Sequence, residues 1–183
     1  MRDFAFQSRR IVGPAAVFCA AALAVIGVSV ATASTASRVA SGSTPRCATR
    51  GLVVWLDTQG NGAAGSIYYT LELTNLSGHT CTLRGFPGVS AVNLTGKGLG
   101  TAAARDHTTT ATKVTLAKGQ SATAVLRIVQ VGVFTPSTCN KVTAAGLRVY
   151  PPNQEKSKII PFPFAACSHK GPVFLDVQVV KKA

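Results

Sequence analysis

Acid–base chemistry in this 183-residue chain has a short roster to draw on: His79, His107, His169, Asp57, Glu72, Asp106, Glu155 and Asp176. A general base works only when it is held against a partner. The adjacent pair Asp106-His107 is the one place where an acid stands beside an imidazole, and it would suit a hydrolase acting on cell-wall material. Neighbouring residues in the Thr-rich stretch that follows point to different sides, so a solvated polar loop is the favoured reading of the pair. No hydrolase signature accompanies it. Metal chemistry is equally thin. There is no CxxC pair, His79-x-Cys81 is the only close His/Cys spacing, and the single methionine lies in the leader, which excludes a methionine-based copper(I) site. The sequence therefore assigns no catalytic residue, no metal ligand and no cofactor.

The cysteines have a different use. Four of the five, Cys47, Cys81, Cys139 and Cys167, remain once a leader is removed. An even number in an exported chain reads as disulfides. Three pairings are open, and Cys47 with Cys81 and Cys139 with Cys167 is favoured because it clips neighbours in sequence. Each loop of roughly thirty residues would contribute about 3 to 4 kcal/mol.

That leader is residues 1–33. Arg2, Arg9 and Arg10 precede an apolar run from Ile11 to Ala33, and Ala31-Thr32-Ala33 has the small-x-small form of a signal-peptidase site. The run is also long enough to act as an uncleaved anchor, but Gly13, Pro14 and the many alanines favour cleavage. Residues 34–45, rich in Ser, Thr, Ala and Gly, read as a flexible tether. Residues 46–183 suffice for one domain. Without the leader the formal charge of +13 falls to about +11, which favours anionic polymers and surfaces. The charges are scattered and not interleaved with stacking aromatics, so specific nucleic-acid binding is not expected.

The elements that must position these residues are strands. Ile67, Tyr69, Leu71 and Leu73 alternate with Ser66, Tyr68, Thr70, Glu72 and Thr74, a half-buried strand with one wet face. Asn75-Leu76-Ser77-Gly78 supplies a turn, so this strand and Thr80 to Leu83 should form an antiparallel hairpin, ended by the Gly85-Phe86-Pro87-Gly88 corner. Leu52 to Leu56 forms an earlier strand before a Gly-Asn-Gly loop at 57–65, with Trp55 packing in the core or covering a sheet end rather than serving as a ligand platform. Val89 to Leu94 follows. Val114 to Leu116 and Ala122 to Ile128 make a second hairpin, with Arg127 outward. Leu147 and Val149 mark another strand, Ile159 to Phe164 an extended edge or surface loop limited by Pro161 and Pro163, and Val173 to Val180 a terminal strand with Phe174 and Asp176 on its outer side. About seven to nine short strands without a convincing helix indicate an all-β, antiparallel immunoglobulin-like β-sandwich.

A specific set of blocks bears on family. Cys47, Leu73-Thr-Asn-Leu-Ser-Gly78, Cys81-Thr-Leu-Arg-Gly-Phe-Pro-Gly-Val89, the turn from Leu116 to Ala122, Leu147 to Pro152 and Cys167 together resemble domain of unknown function 4232. The likeness covers most of residues 46 to 180. It departs at Lys118, where the family usually has proline before the turn glycine. The resemblance implies an exported or lipid-anchored protein of actinobacterial type and brings no activity, cofactor or catalytic residue.

The expectation for function is a non-enzymatic module, secreted or held at the cell envelope and monomeric, that binds an envelope or extracellular partner, anionic polymer among the candidates. With the leader cleaved it would not span the membrane. Its candidate contacts are Phe162 and Phe164, taken as an exposed apolar patch, and Tyr68 on the wet strand face. A charge-driven structural role at the wall is the other alternative.

Overall fold

The computed structural model describes residues 42–183. The expected leader and all but the end of the tether lie outside the described residues. No helix among those described is long and apolar enough to cross a membrane.

The described chain is built from twelve strands, three of them only two residues long, in two main sheets and a small third one that together form a sandwich. The larger sheet runs β1 (Leu52–Ala63), β2 (Ser66–Asn75), β8 (Ser121–Val129), β11 (Leu175–Val177) and β6 (Ala104–Arg105), and β12 (Lys181–Lys182) also pairs with β8. The second sheet runs β10 (Lys158–Cys167), β9 (Lys141–Tyr150), β4 (Gly88–Val92) and β5 (Gly98–Leu99), while β3 (Cys81–Leu83) and β7 (Val114–Leu116) pair separately. All these pairs are antiparallel except β6 with β11. One helical turn, α1 (Pro136–Cys139), sits before β9.

Strand alternation explains the core. Leu71 and Leu73 of β2 meet Ala122, Ala124 and Leu126 of β8 on the inward face, and Val89, Ala91, Leu147 and Val149 of the second sheet join the same buried cluster. Both disulfides have the expected partners, Cys47 with Cys81 and Cys139 with Cys167. Such bridges belong to an oxidising compartment.

The two expected hairpins are not formed. β2 pairs with β1 and β8, whereas β3 leaves for the small sheet and pairs with β7. The chain changes sheet at Asn75 and again between β7 and β8, and the two corners are tied together. The Asn75 backbone amide donates to Gln120 O (2.9 Å) and its carbonyl accepts from the Gly119 amide. The Asn75 side chain is fully buried; its Nδ2 donates to His79 O (3.0 Å) and Leu116 O (2.9 Å), and its Oδ1 accepts from Ser77 N and Oγ. Asn75 therefore satisfies both corners, where a hairpin would have used it only as a turn former.

Three further expectations are corrected. The Gly-rich stretch after Leu56 is strand, because β1 resumes pairing with β2 beyond a bulge at Asp57/Asn61 and closes on a two-residue turn, Ala64-Gly65, with φ of 45° and 73°. Phe174 faces inward and is fully buried, while Val173 is exposed, so the terminal segment breaks into β11 and β12 instead of alternating throughout. Trp55 is 43% exposed and lies on the outer face.

β10 is the expected edge strand. Ile160, Phe162, Phe164 and Ala166 turn inward while Ile159, Pro161 and Pro163 turn out, with a register shift between Pro161 and Phe164. It approaches β9 so closely that a Cβ on Gly146 would lie 2.2 Å from Ile160 O, which only glycine permits. The rings of Phe162 and Phe164 are thus half-buried against the core and do not form an exposed patch. Phe162 meets Tyr69 edge-on at 5.1 Å and lies 5.7 Å from Phe164.

Candidate functional site

The outer face of the larger sheet gathers the polar chemistry. Tyr68 on β2 is the register partner of Arg127 on β8, and Arg127 is the partner of Asp176 on β11, so these three side chains form one row across three strands. The next row is Thr70, Val125 and Gln178, since Val125 pairs with Thr70 and accepts from the Gln178 amide (2.9 Å). Asp106 follows β6 at the side of these rows, held by its backbone amide on Val177 O (2.9 Å). Tyr68, Asp106, Val125, Arg127, Asp176 and Gln178 line a cleft of about 370 Å³, within the size range of small-ligand sites.

Its two carboxylates are in opposite electrostatic states. Asp106 Oδ1 accepts from the Thr108 amide (2.9 Å), and Oδ2 accepts from Gln178 Nε2 (3.0 Å). The Thr108 backbone bond, followed by the Thr108 and Gln178 side chains, holds Asp106 below the usual carboxylate range. Asp176 is pushed the other way, first by loss of water and then by the nearby Asp106 charge, with Arg127 opposing. Asp176 Oδ1 is shut off from solvent with no hydrogen-bond partner. A buried acceptor without a donor is costly. Arg127 directs its Nε to Ser66 Oγ (3.0 Å), and among the described residues its terminal nitrogens have no protein partner. The cleft thus presents two carboxylates, the free Arg127 donors and a phenol ring beside Val125.

Asp106 and His107 engage different neighbours, Thr108 and Gln178 for the first and Phe86 for the second, although the His107 charge also helps to lower the Asp106 pKa. His107 packs against Phe86 at 4.7 Å with the rings tilted by 57°, beside Arg105, whose guanidinium lies 5.9 Å over the same ring. His79 is exposed in the corner after Asn75, and Cys81, two residues on, is consumed in a disulfide. Of the candidate contacts, Tyr68 belongs to the cleft, whereas Phe162 and Phe164 belong to the aromatic packing between the sheets. Sequence reasoning missed Arg127 and Gln178 as site residues. The available signal was the outward position of Arg127 and Asp176 in their strands, but their alignment depends on a pairing that no local pattern encodes.

A larger hollow of about 580 Å³ lies beside the Cys139–Cys167 bridge, bordered by Phe134, Ser137, Thr138, His169, Lys170, Gly171 and Pro172. There the His169 Nδ1 is already engaged with Ser137 O (3.2 Å). The smaller cleft is the better candidate because it retains an unmet hydrogen-bonding demand.

No curated protein and no solved structure matches the chain. A family profile does, over residues 47–180, which is most of the sequence and takes in both disulfides. The chain belongs to the family described as Domain of unknown function (DUF4232).

Proposed function

We propose that this protein is an exported, non-enzymatic binding module of the cell envelope or its surroundings, and that the outer face of the larger sheet is its binding face. The observation that carries this reading is the Asp176 carboxylate, half-buried in a cleft beside Tyr68 and an Arg127 whose terminal nitrogens have no protein partner among the described residues. A fold that only needed a wet face would place such a carboxylate in water. The leader at residues 1–33 and the two disulfides support an extracytoplasmic location. Asp106 and His107 engage different partners, which favours binding over hydrolysis.

The test is retention of the secreted, disulfide-intact protein on envelope material from the producing cell. At about 1 M salt, where screening acts within roughly 3 Å, the protein stays bound, and Tyr68→Ala releases it. Complete release of the wild type by salt, with no dependence on Tyr68, would establish the charge-driven role instead.

A further inference from the structure

We propose that the binding face takes neutral pyranose units of a glycan, one seated in the cleft of Tyr68, Arg127 and Asp176 and the chain continuing along β1 and β2 toward Trp55. This inference rests on the binding reading above and names the chemistry of its ligand.

The cleft itself sorts ligands by charge. An anionic group would meet the carboxylates of Asp106 and Asp176, which both line the cleft. A cationic group would meet Arg127, which stands in the same row as Asp176. Arg127 competes with a cationic group for the carboxylates, and the carboxylates compete with an anionic group for Arg127, so neither class meets an uncompensated charge. A sugar hydroxyl escapes this conflict because it donates and accepts at once: it can give its proton to the part of the Asp176 carboxylate that lines the cleft and accept from the terminal nitrogens of Arg127. Arg127 can use those nitrogens because Ser66 occupies only its Nε. The Tyr68 ring and Val125 offer apolar contact to the C–H face of a pyranose.

The same face extends beyond one sugar. Trp55 on β1 is the register partner of Glu72, which lies on the outer side of β2 together with Tyr68 and Thr70. Four residues of strand separate Tyr68 from Glu72, about 13 Å. Trp55 is 43% exposed, and Val53, two residues before it on the same outward side of β1, is 44% exposed. An amphipathic indole on a polar sheet face is suited to stack on a flat ring that carries hydroxyls at its edge. The spacing exceeds one pyranose and suits an oligosaccharide that touches both aromatics.

Trp55 is the only tryptophan in the chain, so its emission reports on this face directly. The secreted protein would be titrated with neutral hexasaccharides of β-1,4-linked glucose, α-1,4-linked glucose and β-1,6-linked galactose, with hexagalacturonate as the anionic probe and chitosan hexamer as the cationic one. At least one neutral hexasaccharide should shift the Trp55 emission saturably, and neither charged probe should bind comparably. Asp176→Asn should weaken that binding at least tenfold without lowering the melting temperature. Trp55→Phe, followed by calorimetry, should weaken hexasaccharide binding more than disaccharide binding. Failure of all three neutral probes, tighter binding of a charged one, or unchanged affinity in Asp176→Asn would overturn the proposal. If the protein is still retained on envelope material through Tyr68 in any of those cases, the binding reading stands and only the ligand class falls.

Discussion

Asp176→Asn should make the protein more stable at neutral pH while it weakens the proposed site. Asp176 keeps one oxygen out of water without a donor, and burial is the largest influence raising its pKa above the ordinary 3.8, followed by the Asp106 charge. Asparagine removes the charge that burial penalises but keeps an oxygen acceptor in the same place, so only part of the roughly 1 to 3 kcal/mol that an unpaired buried polar group costs is recovered. The side chain is half-buried and Arg127 lies beside it, so the lower end applies, about 1 kcal/mol. For a domain of this size that corresponds to roughly 3 to 5 °C. The folded state holds the Asp176 proton more tightly than the unfolded state does. Wild-type stability attributable to this group therefore falls as pH rises from near 3.8 through the raised folded value and is level above it. Asparagine does not ionise, so the advantage of Asp176→Asn should grow across the same window and vanish near pH 3. Thermal melts of both proteins at pH 3 and pH 7 measure it. A lower melting temperature for the variant at pH 7, or an equal gain at both pH values, would refute the reasoning.

Asp106 predicts the opposite sign, because its carboxylate is held low by Thr108 and Gln178: Asp106→Asn should lower the melting temperature at pH 7, and the loss should shrink as pH falls below the unfolded carboxylate value. Asn75→Ala removes two donated bonds from a fully buried corner and should cost about 3 kcal/mol, near 10 °C in a thermal melt; a loss under 2 °C would mean the corners are held by backbone alone. Phe162→Ser should lower stability by about 2 kcal/mol in urea unfolding, since its ring packs on Tyr69 and Phe164, and an unchanged midpoint would return that ring to the solvent.

How far the fold is legible in the sequence depends on the range of the interaction involved. The inward faces of β2 and β8 follow from alternation alone, because period two and burial coincide along a single strand. The disulfide partners follow from sequence proximity. Strand partners do not. Asn75 has the composition of a turn former and sits in a run that resembles a hairpin, yet its side chain bridges to Leu116, forty-one residues away. That long-range satisfaction decides where β2 stops and β3 departs. Ala64 misleads in a similar way: the hairpin turn it starts requires positive φ, a conformation expected of Asn or Gly, and Ala-Gly gives no such signal.

The same distinction separates fold residues from site residues. The block from Asn75 to Val89, which carries the strongest family likeness, is spent on structure: Asn75 joins the two corners, Cys81 is bridged, Pro87 and Val89 are buried, and Phe86 lies under His107. The cleft uses none of those residues. Tyr68, Arg127 and Asp176 stand on the outer faces of three strands and Gln178 just past the end of the third, where the fold constrains position but leaves the side chain free. On the proposed reading, the ligand would be met by outward positions that strand register brings side by side, where substitutions leave the core undisturbed.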